Sequence, residues 1–463
     1  MPARLRERTP QDSGSPDPLA APTVAAVIAA YNEQESIAAT MDALLGQSRP
    51  PDSIFVVVNN STDQTFDVAR RYNGRHVLPR RGGPATCVVT VIDIGVNDDG
   101  KVGALNFAWS LARRHDYVLG VDADTILAID CLAHLLTDVV ADPRLGGVSA
   151  VSMPDQDASG GVVAHALVRA QRVDAATDAL SALVRGGRTL VLDGTCSLLR
   201  TAALAEIAGH RQGPWLADFG VEDVRLTADL LSSGYEARVS EHARASTAPP
   251  TTACWLRGQP RINAADDERF SLDLPRIAQV ARSAQGGAGS ATHLASRLLA
   301  AVLAVGFAST GGLHVSGLWL VPVVLALLAD LCVVSRIAGR SASDILSAVL
   351  FLPQEAYRTV KGLGHARAWI RNLGTRQCSS AAAQARAERG SEPASSADRG
   401  VIRALSLFAA GGIATVLTVW TASSPAQQEA ALTAGVVLLA LVLGVQSLRN
   451  ARTILGTARG HRV

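Results

Sequence analysis

The sequence lacks paired cysteines. Its six, Cys87, Cys131, Cys196, Cys254, Cys332 and Cys378, are scattered. A zinc site or a thiol redox motif needs short paired spacing, so these read as reduced structural thiols. An excess of charge is also missing, because 43 Lys and Arg face 41 Asp and Glu for a formal net charge of +2. Nothing in that balance provides the basic footprint of a nucleic-acid binder, and no nucleic-acid partner is expected. Residues 1–22, rich in Pro, Ser, Asp and Arg, hold no apolar stretch of the kind a secretory signal carries. They cannot bury enough surface to fold alone and are expected to form a disordered cytoplasmic tail.

What is present is length and apolar surface. The 463 residues allow one large catalytic domain plus accessory segments. A positive mean hydropathy and an uneven spread of apolar residues point toward a bilayer. From Val24 short apolar runs alternate with helical periodicity. Runs at Val24–Ala30, Ile54–Val58, Cys87–Ile94, Tyr117–Val121, Gly147–Ser152 and Leu190–Leu192 predict strands. Helices are predicted from about Ser36, from about Asp63 and over Gly103–Arg113. This alternation predicts βαβ units and a parallel sheet in one α/β domain, residues 23–265, followed by a linker over 266–290.

The texture then changes. Leu294–Thr310 and Val315–Val334 are almost wholly apolar and predict a transmembrane hairpin within 291–337. Val401–Thr421 and Ala430–Leu448 predict a second within 401–449, for about four spans in the cell membrane. Arg297 and Asp330 near the span ends fit as a snorkelling side chain and a carboxylate facing a polar neighbour. The loop over 338–400 and the tail over 450–463 are rich in Arg, whereas the two hairpin turns carry no Lys or Arg. The positive-inside rule therefore puts the catalytic domain, the loop and the tail in the cytoplasm. Within the loop, Ile345–Leu373 has the composition of an interfacial helix or of an ordinary soluble one. Ser379–Asp398 reads as a linker.

The chemistry gathers where predicted strands end. Asp122-Ala123-Asp124 follows Tyr117–Val121, at the strand end where open α/β sheets bind ligands. In extended chain its two carboxylates face the same way, a hard oxygen pair suited to Mg2+ or Mn2+ gripping a diphosphate. Alone, such a triplet is more often a solvated loop. Its company is Tyr31-Asn32-Glu33 after the first strand, Asn59-Asn60-Ser61-Thr62-Asp63 after the second, and Asn97–Lys101 with Ala104-Leu105-Asn106. In the last of these, a lysine and free helix N–H groups could both meet phosphate. Val221-Glu222-Asp223, then Leu226 and Gly234-Tyr235, opens a further helix, where simple N-terminal capping is the competing reading.

In this order and spacing the set resembles the family 2 glycosyltransferases, inverting enzymes with the A-type nucleotide-diphospho-sugar transferase fold, a Rossmann-like mixed sheet. The resemblance spans about Val24 to Arg261 and includes Gly194-Thr195 with Arg200. The apolar pairs that follow look like those of the membrane-bound branch. The resemblance implies a nucleotide-sugar donor, a UDP-sugar, and a lipid-linked or cell-envelope glycan acceptor. Tyr31 and Glu33 would lie against the nucleotide. Lys101 would neutralise phosphate, and Arg261 would pair with the diphosphate. Asp122 would serve ribose and metal, and Asp124 would be the more direct metal ligand. Asp223 would be the general base, with Glu222 orienting the site, and Gly194-Thr195 would floor the acceptor.

Two departures stand out. Asn59 holds the place of an aspartate that usually touches the base; its amide can still accept from a uracil N–H. Arg257-Gly258-Gln259-Pro260-Arg261-Ile262 stands where processive members show Gln-x-x-Arg-Trp, so the indole platform for an acceptor sugar is missing. Trp215 or Trp255 could replace it, or both could be core or interface residues. Three functions remain open at this stage: transfer of one or a few sugars, processive polysaccharide synthesis, or a silent nucleotide-sugar-binding subunit.

Overall fold

The computed structural model describes residues 21–80, 83–155, 161–184, 186–216, 222–248, 320–337, 340–350, 357–360 and 423–438, with Gln354 and Leu441. Four parallel strands form its centre, in the order β4 (Ala85–Asp93), β2 (Ser53–Val58), β1 (Val24–Ala30), β5 (Tyr117–Val121). β1 reads VAAVIAA and is buried nearly throughout. A strand covered on both faces requires such a continuous apolar run rather than an alternating one. One face is covered by α1 (Ile37–Leu45), α2 (Thr65–Ala69) and α4 (Cys131–Ala141), whose Ile37, Met41, Ala69, Leu132 and Leu135 join Ile28, Val56 and Leu119 in one core. The other is covered by α3 (Gly100–Ala112), α6 (Thr201–Ala208) and α7 (Glu222–Ser232), through Leu105, Trp109, Leu204, Leu226 and Leu230.

Beyond β5 the direction changes. β8 (Cys196–Arg200) runs antiparallel to β5, and β7 (Leu145–Pro154) antiparallel to β8. β9 (Glu236–Thr247) lies parallel to β7 and pairs with β6 (Thr125–Leu127) at that edge. β3 (Gly74–Leu78) closes the opposite edge against β4. The nine described strands therefore form a mixed sheet. One expectation is corrected here: Leu190–Leu192 is no strand, and β8 begins at Cys196. The reason is local, since the Leu192 N–H is taken by the Thr227 hydroxyl of α7 rather than by a neighbouring strand.

The register fixes where ligand chemistry can occur. Ala30 pairs with Val58, and Val27 with Gly120, so β1, β2 and β5 deliver their following loops to one edge. Val121 pairs with Cys196, so the reversal at β8 brings Gly194-Thr195 alongside Asp122. The Asp122 N–H donates to the Thr195 carbonyl at 3.1 Å, extending that ladder by one bond.

A third core joins the sheet to the later chain. Val151 and Met153 of β7 pack with Val173, Ala176 and Leu180 of α5 (Val162–Val184), and these meet Val333, Val334, Ile337 and Ala348. The last four belong to or follow α8 (Leu320–Arg336) and α9 (Ala342–Leu350). Asp330 does face a polar neighbour: Arg358 grips it with both terminal nitrogens, at 2.6 and 3.0 Å. Among the described residues no helix is long and apolar enough to cross a membrane. The expected spans at Leu294–Thr310 and Val401–Thr421, residues 1–20 of the N-terminal tail and the Ser379–Asp398 linker lie outside the described residues.

Candidate active site

The two strand-end loops after β1 and β2 are built as one unit. Asn32 and Asn60, each two residues past a strand, take positive φ of 55° and 53°. Asparagine tolerates this region better than other side chains with a Cβ. The Asn32 Oδ1 accepts from the Thr62 N–H at 2.8 Å, and Thr65 Oγ1 accepts from the Glu33 N–H at 2.7 Å. Asp63 accepts from the N–H groups of Gln34 and Thr65. Asn60 reaches the other way: its amide donates to Asn97 O and accepts from Asn97 N–H, both at 2.8 Å. The Tyr31-Asn32-Glu33, Asn59–Asp63 and Asn97–Lys101 segments are thus tied edge to edge. On this edge Tyr31 is 58% exposed. Asn59 is buried, and its Oδ1 has no hydrogen-bond partner among the described residues.

Asp122-Ala123-Asp124 does not continue β5 as extended chain. The Thr125 N–H donates to Asp122 O at 3.1 Å, closing a tight turn, and Ala123 is buried with its carbonyl accepting from Thr40 Oγ1 at 2.8 Å. The turn leaves both carboxylates half-buried. Burial, then the charge of Asp122, pushes the Asp124 carboxyl above its ordinary range, against a hydrogen bond from Thr247 and the charge of Lys101. Burial likewise raises Glu33 despite its short hydrogen bond from Ser36, with Asp124, Asp122 and Asp63 adding to it.

Lys101, in the first turn of α3, stands among the acids. Its Nζ lies 2.8 Å from Asp122 Oδ1 and 3.0 Å from Glu222 Oε1. Burial works to discharge the ammonium, but Asp122, Asp223 and Glu222 together outweigh it and hold the pKa above the usual lysine value. Asp223 has no ion pair among the described residues. Burial pushes its carboxyl up to about 7, opposed by Lys101 and helped by Glu222, Asp122 and Asp193. The two neighbours at the start of α7 are thereby distinguished: Glu222 is committed to Lys101, whereas Asp223 is poised between its protonation states near neutral pH.

Asp223 rests directly on Gly194. A Cβ at position 194 would lie 1.9 Å from Asp223 Oδ2 and 2.7 Å from Oδ1. No other residue leaves that carboxylate where it is. Gly194→Ala is therefore expected to lower transfer by about 100-fold, since a displacement of about 1 Å costs that much. Donor binding and the melting transition should change little, because the obstructed group is a side-chain tip. Steady-state kinetics beside donor calorimetry checks this, and an Ala variant with unimpaired kcat contradicts it.

Some site residues were not singled out in the sequence. Asp193 lines, with Lys101, Asp122, Gly194, Trp215 and Asp223, a cavity of about 20 Å³, room for one water molecule. Burial raises the Asp193 carboxyl, while hydrogen bonds from Thr195 and Ser152 oppose the shift. Its signal was its place directly before Gly194-Thr195. Asn106 turns out to be structural: its amide donates to Trp215 O at 2.9 Å and accepts from Trp215 N–H at 3.1 Å, and Gly213 leaves it space. Trp215 is 3% exposed and packs in the core with Leu105, Leu192 and Leu226. It stands as a wall of the cavity, not as an open platform. Arg200 points away from the site, donating to the carbonyls of Leu145 and Val139. Arg261 and Trp255 lie outside the described residues.

The chain is 23% identical over 235 residues to the poly-beta-1,6-N-acetyl-D-glucosamine synthase of Staphylococcus epidermidis, covering 50% of this chain and 48% of the relative. The enzyme of the same name from Staphylococcus aureus strain COL is similar to the same extent. The chain spans about half the length of these curated relatives. Among solved structures, a mannosyltransferase from Pyrobaculum calidifontis in complex with GDP-Man and Mn2+ is similar at 20% identity. That likeness has a TM-score of 0.47 and covers 78% of this chain and 90% of the other. S. aureus TarS 1-349 in complex with UDP is similar at 14% identity and a TM-score of 0.36, covering 77% and 92%. The family model described as "Glycosyltransferase like family 2" matches residues 21–261, just over half of the sequence. The chain belongs to the family 2 glycosyltransferases.

Proposed function

We propose that the protein is a membrane-bound inverting glycosyltransferase that moves a sugar from a UDP-sugar to a lipid-linked or cell-envelope glycan acceptor at the cytoplasmic face. The observation that carries this reading is the seating of the Asp223 carboxylate on Gly194, beside Lys101 and the Asp122 turn. There it can take the proton of an acceptor hydroxyl as that oxygen bonds to the anomeric carbon. The bond from that carbon to the diphosphate oxygen breaks, and the electron pair leaves with the diphosphate. One displacement from the opposite face inverts the centre.

Asp122 and Asp124 fit a divalent ion. Two hard carboxylates, one of them raised by burial and by the other's charge, are the small protein share that Mg2+ takes when phosphates and waters complete its shell. Bound there, Mg2+ or Mn2+ would offset charge on the departing diphosphate. Lys101 brings a further positive charge at the start of α3, where free N–H groups favour phosphate. Tyr31 offers an exposed ring for the nucleotide, and Asn59 retains an unspent acceptor of the kind a uracil N–H requires.

Attachment to a bilayer is supported by the four apolar runs and by reversed polarity in α9. That helix buries Asp344 toward Arg172 of α5 while Leu346 and Val349 are at least half exposed. An exposed apolar face on a helix that turns a carboxylate inward suits surroundings that are not water.

A donor screen on detergent-solubilised protein, read as nucleotide diphosphate released, tests the proposal. Release is expected with UDP-sugars, stimulated by Mn2+ or Mg2+ and dependent on acceptor. Preference for another nucleotide would overturn the uridine assignment, and no release with any donor would overturn the function. Processive synthesis is the second reading, favoured by the polymer synthases among the relatives. The missing indole at Ile262 weighs against it, and product length decides.

A further inference from the structure

One buried hydroxyl joins the base helix to the rest of the site. Thr227 of α7 is 0% exposed and lies one turn after Asp223. Its Oγ1 donates to the Asp223 carbonyl at 2.7 Å. Taken alone that bond is commonplace, since threonines inside helices often bond the carbonyl four residues back. The second bond is not of that kind. The same Oγ1 accepts from the Leu192 N–H at 3.0 Å, a main-chain donor 35 residues away in the chain.

Leu192 opens the loop that carries the remaining references. Asp193 Oδ1 accepts from the Thr195 N–H at 3.1 Å, and Gly194 lies beneath the Asp223 carboxylate. The Thr195 carbonyl accepts from the Asp122 N–H at 3.1 Å. The loop over 192–195 therefore touches both the base and the turn bearing Asp122 and Asp124. Leu226 and Leu230 hold α7 on the sheet by apolar packing, which is non-directional and tolerates sliding. A hydrogen bond to one main-chain N–H does not.

We propose that Thr227 is a positioning residue for sugar transfer, its hydroxyl setting the distance between Asp223 and the Asp122 turn by locking α7 to the Leu192–Thr195 loop. The inference rests on the reading of Asp223 as general base.

Thr227→Val keeps the shape and removes both bonds. Its kcat is expected to fall by about 10- to 100-fold, the scale of a small misplacement of a reacting group. The donor KM and the donor-binding stoichiometry should stay at wild-type values, and Thr227→Ser should recover most of the loss. Wild-type kcat in the Val variant overturns the proposal, as does a Ser variant as poor as Val. A loss fully explained by a reduced donor-binding fraction overturns it too. If the Val variant does not fold, the Ser and Ala variants isolate the same hydroxyl: Ser active and Ala impaired at equal donor binding supports the proposal, and equal kcat overturns it. Asp223→Asn, run in parallel, separates the two claims. Full turnover there refutes the base itself, whereas an inactive Asn variant beside an unimpaired Thr227→Val refutes only the positioning role.

Discussion

Asp223→Asn is expected to lower sugar transfer by about 1,000-fold while leaving donor affinity unchanged. General-base assistance contributes about 10² to 10⁴ in rate, and 1,000-fold corresponds to about 4 kcal/mol of barrier. The amide keeps the size of the carboxylate, so the seat on Gly194 survives and only the capacity to accept a proton is lost. The wild-type pH profile should report the same group. Because burial raises the Asp223 carboxyl to about 7, it is protonated and idle at lower pH. The value of kcat/KM should therefore climb as pH rises through about 7 and then level off. Glu222→Gln should not remove that limb, since Glu222 is already held by Lys101. An unchanged limb in any Asp223→Asn protein that retained turnover would move the base elsewhere.

Asp124→Asn is expected to abolish metal-stimulated donor binding. Even partners of metal ligands cost about 10- to 100-fold in metal affinity when removed, so loss of a ligand should cost at least about 100-fold. Calorimetry of UDP binding with and without Mn2+ reads this directly. The same variant should be no less stable than wild type. Its carboxyl lies above the ordinary range in the folded chain, so above the unfolded pKa the charged form is disfavoured by folding. Asparagine removes that penalty, and the melting temperature near pH 7.5 should stay level or rise. Undiminished Mn2+ stimulation in Asp124→Asn would contradict the metal assignment.

Much of the site was legible because its residues follow apolar runs. β1 and β5 have the predicted bounds, and both are covered on two faces, so burial leaves a continuous apolar signature. The loops that follow inherit their positions from those strands. β9 was illegible for the opposite reason: it interleaves Glu236, Arg238, Glu241 and Arg244 with small residues and shows no apolar run. The polar edge strand β3 and the three-residue β6 carry even less signal. Periodicity also cannot see long-range pairing. It could name Glu222 and Asp223 but not which is spent on Lys101. It could name Trp215 but not that Asn106 fastens both its main-chain N–H and its carbonyl. Thr227 looks in sequence like any helical threonine, and only the antiparallel return of β8 brings Leu192 to it.

The central claim is a single displacement at the anomeric carbon, with Asp223 taking the proton of the attacking acceptor hydroxyl. The configuration of the first sugar transferred tests it most directly. With an α-linked UDP-sugar, wild-type protein and Mn2+, proton NMR of the product should show the β anomer. An α-linked product would require two displacements or none from that face, and would contradict the account.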